Sequence, residues 1–288
     1  MPRKSNCCPR YLKSNFTITD LKITAIDVGQ GSAILVRFPG GKKMLIDGGG
    51  FTDSSFDMGK MVIAPFLYHE RINTIDAVVL THPHPDHLQG LLYVTNNFNV
   101  KEVWSTGQRS EDEIYRQWEK IIKQKNIKRI SLSSQSPSAK INGVYLNVLW
   151  PQNSLEGHAN VTNYHQFNDD SLVIKIKYGQ ISFLFPADIS SAVECSLIKS
   201  KQDLSSDVLF VPHHGSYHSS SVDFINKVSC RYAVISAGKA NVFRHPHSRT
   251  LNRYKTFPVK ILRTDKDGAI TLTTDGTTLH INTFLKSR

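Results

Sequence analysis

Thr81-His82-Pro83-His84-Pro85-Asp86-His87 places three imidazoles and a carboxylate within six positions, directly behind the apolar run 77–80. A short apolar run bounded by polar residues reads as a buried strand, so the donor groups sit on a loop at that strand's C-terminal end. Each proline holds the residue before it extended, which lets His82 and His84 point their rings the same way. Asp86 and His87 then reach a neighbouring point. This spacing suits two metal ions rather than one, and imidazole with carboxylate suits zinc, manganese or iron better than oxygen-seeking calcium. The bland alternative, a polar loop with chance histidines, is weak against four donors so close together.

Two later stretches repeat the pattern of a chargeable group behind an apolar strand. Asp188 ends ISFLFPAD, and His213-His214-Gly215 follows DVLFV. A buried charge there is costly unless it is paired or metal-bound. Asp188 is therefore expected to bridge two ions, and one of His213 and His214 to bind the second ion. As a competing reading, Asp188 caps the helix that starts near residue 189, with Ser190 as the rival cap.

Upstream, LKITAIDVG, SAILVRFP and KKMLIDGGG read as three strands, with a reversal at Pro39-Gly40-Gly41. Residues 111–126 place Ile114, Trp118, Ile121 and Ile122 on one helix face, a core stripe. SLSSQSPSAK is a surface connection and VYLNVLWP a strand; SLVIKIKYGQISFLFPAD is a hairpin turning at Tyr178-Gly179, followed by a helix over 190–201. DVLFVP and YAVISAG flank a helix over 223–228, and two or three strands close the chain, with Asp267-Gly268 as a hairpin turn. Strands in both halves with helices between them predict an α/β fold of two packed sheets with helices outside. A doubly wound parallel sheet is the runner-up, but no Gly-rich phosphate loop supports it. Without a repeat or a convincing linker, residues 1–20 are expected to be a basic tail and 21–288 one domain.

The chain has 288 residues, 35 Lys plus Arg against 24 Asp plus Glu (net +11), and 40% hydrophobic residues. That length and composition support a real core and exclude wholesale disorder. Four cysteines are too few and too scattered for a disulfide framework, and Cys7 and Cys8 read as incidental, with tethering as the alternative. The longest apolar run, 61–68, is broken by Pro65 and is far short of the roughly 18 residues of a membrane span. The basic opening lacks the apolar stretch of a signal peptide. A pI near 9.4 favours an acidic partner such as nucleic acid, an anionic surface or a phosphate ester.

The His-x-His-x-Asp-His pattern at 82–87 resembles the hallmark of the metallo-β-lactamase superfamily. Further motifs resemble its ComEC-type domains, which belong to bacterial DNA-uptake channels: IDVGQGSAILV (26–36), LIDGGG (45–50), VLWP (148–151), NDDSLVIKIKYGQISFLFPAD (168–188), VPHHGSYHSSS (211–221), His245-Pro246 and TDKDGAI (264–270). The resemblance implies a four-layer αββα fold of two mixed sheets and one or two divalent ions per chain, zinc or manganese. Their ligands would be His82, His84, Asp86, His87, Asp188 and His213 or His214. It further implies that Asp47 orients a ligand histidine, rather than serving only as a turn residue beside three glycines. Asp27 and Gln30 match a signature with a structural role. Ser216, Ser219, Ser220, Asn241, Arg244 and His245 would meet substrate, with Lys239 and Arg249 near them in sequence. The chain departs from the superfamily at Asn168-Asp169-Asp170, where most members carry a further histidine; Asn168 is a poor donor, and His158 and His165 lie just upstream. Ser32 and Ala187 also stand where many members have Asp and Gly.

The implied function is a metal-dependent phosphodiesterase, a nuclease that degrades the DNA strand not imported during competence. Water activated between the ions would attack, Asp86 would orient that water or take its proton, and His245 would bind a phosphoryl oxygen or protonate the leaving group. The alternatives are a phosphorylcholine esterase-like hydrolase of small or surface-attached esters, and a non-catalytic DNA-binding module. The expected partners are DNA and the membrane portion of a larger ComEC-like protein. Such a piece would work on the outer face of the cytoplasmic membrane, whereas a complete chain would be cytoplasmic.

Overall fold

The opening apolar runs form β1 (Leu21–Ala25), β2 (Ile34–Arg37) and β3 (Lys43–Ile46), joined as an antiparallel meander. The computed structural model describes residues 19–51, 56–156 and 164–285. The expected tail therefore lies outside the described residues except for Thr19 and Asp20; so do Cys7, Cys8, His158 and the side chain of His165.

After β3 come α1 (Ala64–His69), β4 (Thr74–Val79), α2 (Pro85–Asn97), β5 (Asn99–Ser105), α3 (Glu113–Gln124) and β6 (Lys128–Ser131). Strands β3 to β6 pair in parallel, because a helix or loop returns the chain between each pair. The second half runs β7 (Ala139–Ile141), β8 (Val144–Trp150), α4 (Tyr164–Asp169), β9 (Val173–Tyr178), β10 (Ile181–Phe185), α5 (Ser191–Lys199), β11 (Val208–Phe210), α6 (Val222–Val228), β12 (Tyr232–Ile235), α7 (Ser248–Lys255) and β13 (Lys260–Arg263). It ends with α8 (Thr264–Asp267), β14 (Ile270–Thr274) and β15 (Leu279–Thr283). One sheet has the order β15-β14-β1-β2-β3-β4-β5-β6, the other β13-β12-β11-β10-β9-β8-β7. Both are mixed, which excludes the doubly wound alternative.

The period-2 alternation of the strands sorts their side chains into layers. Ile23, Ala25, Ile174, Ile176 and Phe183 fill the space between the sheets. Outside the first sheet, Leu88, Leu91 and Val94 of α2 pack with Tyr115, Trp118 and Ile122 of α3. Outside the second, Val193, Leu197, Phe224 and Tyr254 cover Val173, Leu184 and Leu209. The buried stripe of α3 is rotated from the expected one: Tyr115 is buried where Ile114 was expected, and its hydroxyl donates to Gln108 O at 2.9 Å. Asp267-Gly268 is not a hairpin turn. β13 and β14 belong to different sheets, and α8 carries the chain across, with Asp267 Oδ2 accepting from Arg263 N at 2.7 Å.

This topology places one end of each sheet together. β3 and β4 are parallel, so Asp47 and Thr81 leave the first sheet side by side. β10, β11 and β12 are parallel, so Asp188, His214 and Ser236 leave the second sheet at a common end. α2 is drawn against the glycine loop by backbone contact: Gly48 N donates to His87 O at 2.6 Å and Gly90 N to Gly49 O at 3.1 Å. A side chain at Gly90 would have no room, since its Cβ would lie 2.0 Å from Gly48 O.

Candidate metal centre

The loop after β4 is anchored by Asp47, whose carboxylate accepts from Thr81 N at 2.9 Å and Thr81 Oγ1 at 2.8 Å. The same carboxylate accepts from His87 Nδ1 at 2.7 Å, and both groups are buried. His87 therefore presents Nε2 forward, 3.3 Å from Asp188 Oδ1 and 3.3 Å from His214 Nε2. His214 is held in the same manner: Nδ1 donates to Ser236 O at 3.0 Å, leaving Nε2 3.4 Å from Asp86 Oδ2 and 3.5 Å from Asp188 Oδ2. One donor atom from each of Asp86, His87, Asp188 and His214 lies within 4.8 Å of the other three.

Opposed charges dominate this cluster. Burial alone would raise the Asp188 carboxyl, but His214, His87 and His213 outweigh it and hold it well below the usual carboxylate range. Asp86 is likewise kept ionised by His87 and His214 against its burial. Burial works against the charged form of His87, yet Asp188, Asp47 and Asp86 raise it well above the ordinary imidazole range; His214 is pushed up to about 10 by Asp188 and Asp86. Two carboxylates, Asp188 buried and Asp86 half-buried, thus stand in a site that demands positive charge.

The residues fit a divalent cation. The donor set is two imidazoles and two carboxylates, and each imidazole has its second nitrogen fixed by an acceptor, as metal-binding histidines do. Histidine binds a metal as the neutral imidazole, so metal binding would compete with protonation of His87 and His214.

His82 and His84 lie beside this cluster rather than within it. His82 Nε2 is 3.1 Å from His84 Nδ1, and the His82 ring is 4.1 Å from that of His87. Burial, reinforced by His87 and His84, keeps His82 neutral, and burial lowers His84 as well. Both are available as neutral donors. Phe167 sets its ring edge-on to His84 at 5.5 Å, and the neighbouring Asn168 is buried with an Oδ1 that accepts no hydrogen bond among the described residues. Among the described residues, no further donor closes with His82 and His84 into a second compact group. His213, with Nε2 3.7 Å from Asp188 Oδ2, is outside the four-residue cluster, so the geometry favours His214.

Several expected substrate contacts have structural tasks in the fold. Ser219 is fully buried and donates to Ile189 O at 2.7 Å, and Ser220 Oγ accepts from Tyr254 at 3.1 Å. Ser216 is buried too, its carbonyl accepting from Thr250 Oγ1 at 2.9 Å. Asn241 spends its side chain on the backbone, donating to Gly238 O and His245 O and accepting from His245 N at 2.9 Å. It shapes the loop that carries His245. The His245 ring stands 5.8 Å from that of His213; burial, with His214 and His213 nearby, lowers it to about 4. His245 is therefore a neutral hydrogen-bonding group near pH 7, poorly suited to delivering a proton. Arg244 is exposed on the same loop. Gln30 is buried and accepts from Gly238 N at 3.4 Å, whereas Asp27 is exposed and caps its own turn at Gly29 N.

Sequence reasoning missed Ser236, which contributes only a carbonyl, and Glu194. The latter is fully buried and accepts from Ser220 N and Ser221 N at 2.5 and 2.8 Å, bracing the loop behind His214. An acid between apolar Val193 and Leu197 was its one available signal.

Two helix-flanked mixed sheets with a buried imidazole-carboxylate cluster at their shared end define a metallo-hydrolase. The Metallo-beta-lactamase superfamily matches residues 26–239, and the chain belongs to it. Its superfamily uses divalent metals, and the four-residue cluster is the candidate site in this chain. The chain is similar to ComE operon protein 3 of Bacillus subtilis, 28% identical over 263 residues covering 86% of this chain and 32% of that protein. It is also similar to the competence protein ComA of Neisseria gonorrhoeae, 30% identical over 254 residues covering 86% and 31% respectively. The chain thus spans about a third of the length of the curated relatives it matches. Among solved structures, the metallo-beta-lactamase fold protein YhfI from Bacillus subtilis superposes with a TM-score of 0.54 at 14% identity, covering 85% of this chain and 95% of that one. That likeness concerns the fold alone. No helix among the described residues is long and apolar enough to cross a membrane.

Proposed function

We propose that this chain is a metal-dependent phosphodiesterase that cleaves DNA, and that it degrades one strand during competence. The observation that carries this reading is the rim beside the cluster, which is cationic and aromatic. Phe243, 60% exposed, lies nearly parallel to His245 at 5.9 Å, next to exposed Arg244. Across the loop contact from His247 N to Gly215 O, Tyr217 is exposed between Arg249 and Arg253, whose guanidinium carbons are 5.2 and 5.7 Å from its ring. Cations with exposed rings suit a substrate that offers both phosphates and base faces. The competence relatives and the net charge of +11 point the same way.

Asp86, His87, Asp188 and His214 would hold a divalent ion, zinc or manganese, with His82 and His84 available to a second. When bound, such an ion supplies Lewis acidity towards a phosphoryl oxygen and lowers the pKa of water. The protein's own groups set the geometry. Asp47 and the Ser236 carbonyl fix the two imidazoles, ionised Asp86 accepts a hydrogen bond from the attacking water, and Arg244 offsets phosphate charge. Neutral His245 donates a hydrogen bond to a non-bridging oxygen. As part of a longer protein, the chain would act beside a membrane channel.

The test sets linear DNA beside a small chromogenic phosphodiester, each with manganese or zinc, for the parent chain and His84→Ala. DNA cleavage that weakens in the variant is expected. Hydrolysis of the small ester with intact DNA would favour an esterase, and salt-sensitive DNA binding without any cleavage would favour a binding module.

A further inference from the structure

Away from the metal centre, the outer face of the second sheet changes character along its strands. Val173 and Leu149 pack beneath the helices, but on the same face Lys175, Lys177, Asn147 and Tyr145 take over. Period-2 alternation requires these residues to share a face, and the register pairs them directly: Tyr145 lies opposite Lys177, and Asn147 opposite Lys175. On the other side, Lys140 lies opposite Tyr145 and sets its amine 4.9 Å from the ring centre. Lys140, Tyr145 and Lys177 therefore form one row across three strands, an aromatic ring between two amines.

The row borders a cleft of about 810 Å³, closed at one side by serines of the 131–138 connection. Tyr145 is 45% exposed, whereas the apolar lining residues Val148 and Leu149 are buried. The Lys175 side chain is 5% exposed and its amine bonds Asp203 Oδ2 at 2.7 Å; Asp203 is the single acid among the described residues that line the cleft. A face with amines, hydroxyls and one accessible ring, and without exposed aliphatic side chains, lacks the apolar centre of a protein-protein contact. It matches what single-stranded nucleic acid requires: cations along the backbone and a ring on which a base stacks.

The geometry points to a second, non-catalytic contact for a single DNA strand on this face, centred on Tyr145 between Lys140 and Lys177. DNA as the occupant rests on the proposed function. The face is also well placed for it, because Leu172 N donates to Thr81 O at 3.0 Å in the metal loop. At about 3.3 Å per residue along β9, Lys175 and Lys177 lie roughly 10 and 17 Å from that bond. A strand held here would be retained while its neighbouring segment is cut.

Binding of a short fluorescent single-stranded oligonucleotide, followed by anisotropy in chelator at several salt concentrations, tests this. Tyr145→Ala is expected to weaken binding about fivefold or more and Tyr145→Phe to preserve it. Lys140→Glu combined with Lys177→Glu should lower the slope of log affinity against log salt by at least about 1.4. Hydrolysis of a small phosphodiester should match the parent in all three, showing that they fold. Unchanged affinity in Tyr145→Ala and the lysine pair overturns the proposal, as does an equal loss by Tyr145→Ala on duplex DNA, where bases are not free to stack. If the parent chain cuts neither DNA nor the small ester, the nuclease reading fails, and the oligonucleotide measurement, made without metal, still decides this surface.

Discussion

Asp188→Ala is expected to strip the protein of tightly held divalent metal and to lower phosphodiester turnover by at least about 100-fold, the upper end of the loss caused by removing a mere orienting partner. The carboxylate stands against three imidazoles, with Oδ1 3.3 Å from His87 and Oδ2 3.5 and 3.7 Å from His214 and His213. In the metal-free protein its loss also leaves His87 and His214 without their common counter-charge, and breaking a buried ion pair costs about 3–5 kcal/mol. Metal content after dialysis, circular dichroism and turnover together check this. A folded variant that keeps its full metal content would refute the role assigned to Asp188.

Gly90→Ala is expected to destabilise the protein by about 3 kcal/mol or more, the upper range for overpacking. Alanine is the better helix former by about 1 kcal/mol, so propensity alone predicts the opposite sign. The new Cβ, however, would meet Gly48 O at 2.0 Å and Gly48 C at 3.0 Å, both backbone atoms that cannot rotate away. α2 would have to move off the loop that carries Asp47, and the His87 contact to Asp47 would stretch with it. Urea denaturation measures the effect; a variant as stable as the parent would mean that the helix and loop are less tightly apposed than described.

The parts of the candidate site that are contiguous in sequence were legible as candidates. Residues 82–87 stand out as a candidate because four possible donors share one loop, and Asp188 and the pair His213-His214 stand out because each follows an apolar strand. The choice between His213 and His214 was not legible, since both follow the same strand. It depends on Ser236 O, which receives His214 Nδ1 from 22 residues away. The serines after His214 look like substrate contacts in a linear reading; in the fold Ser219 Oγ donates to Ile189 O and Ser220 Oγ accepts from the Tyr254 hydroxyl. Asp267-Gly268 carries turn chemistry, yet pairing decided otherwise: β14 joins β1, with Ile270 opposite Ala25, so the chain crosses between sheets at that point. Local residues propose a conformation, and partners distant in sequence select it.

The proposed role of Asp86, His87, Asp188 and His214 is to hold the divalent metal with which this chain would cut DNA. It is tested most directly by following end-labelled DNA with metal-stripped protein while manganese is titrated back, for the parent and Asp188→Ala in parallel. Cleavage that is absent in chelator, rises with metal to saturation in the parent and never appears in the variant is the predicted result. Cleavage that persists in chelator, or that the variant performs as well as the parent, would contradict it.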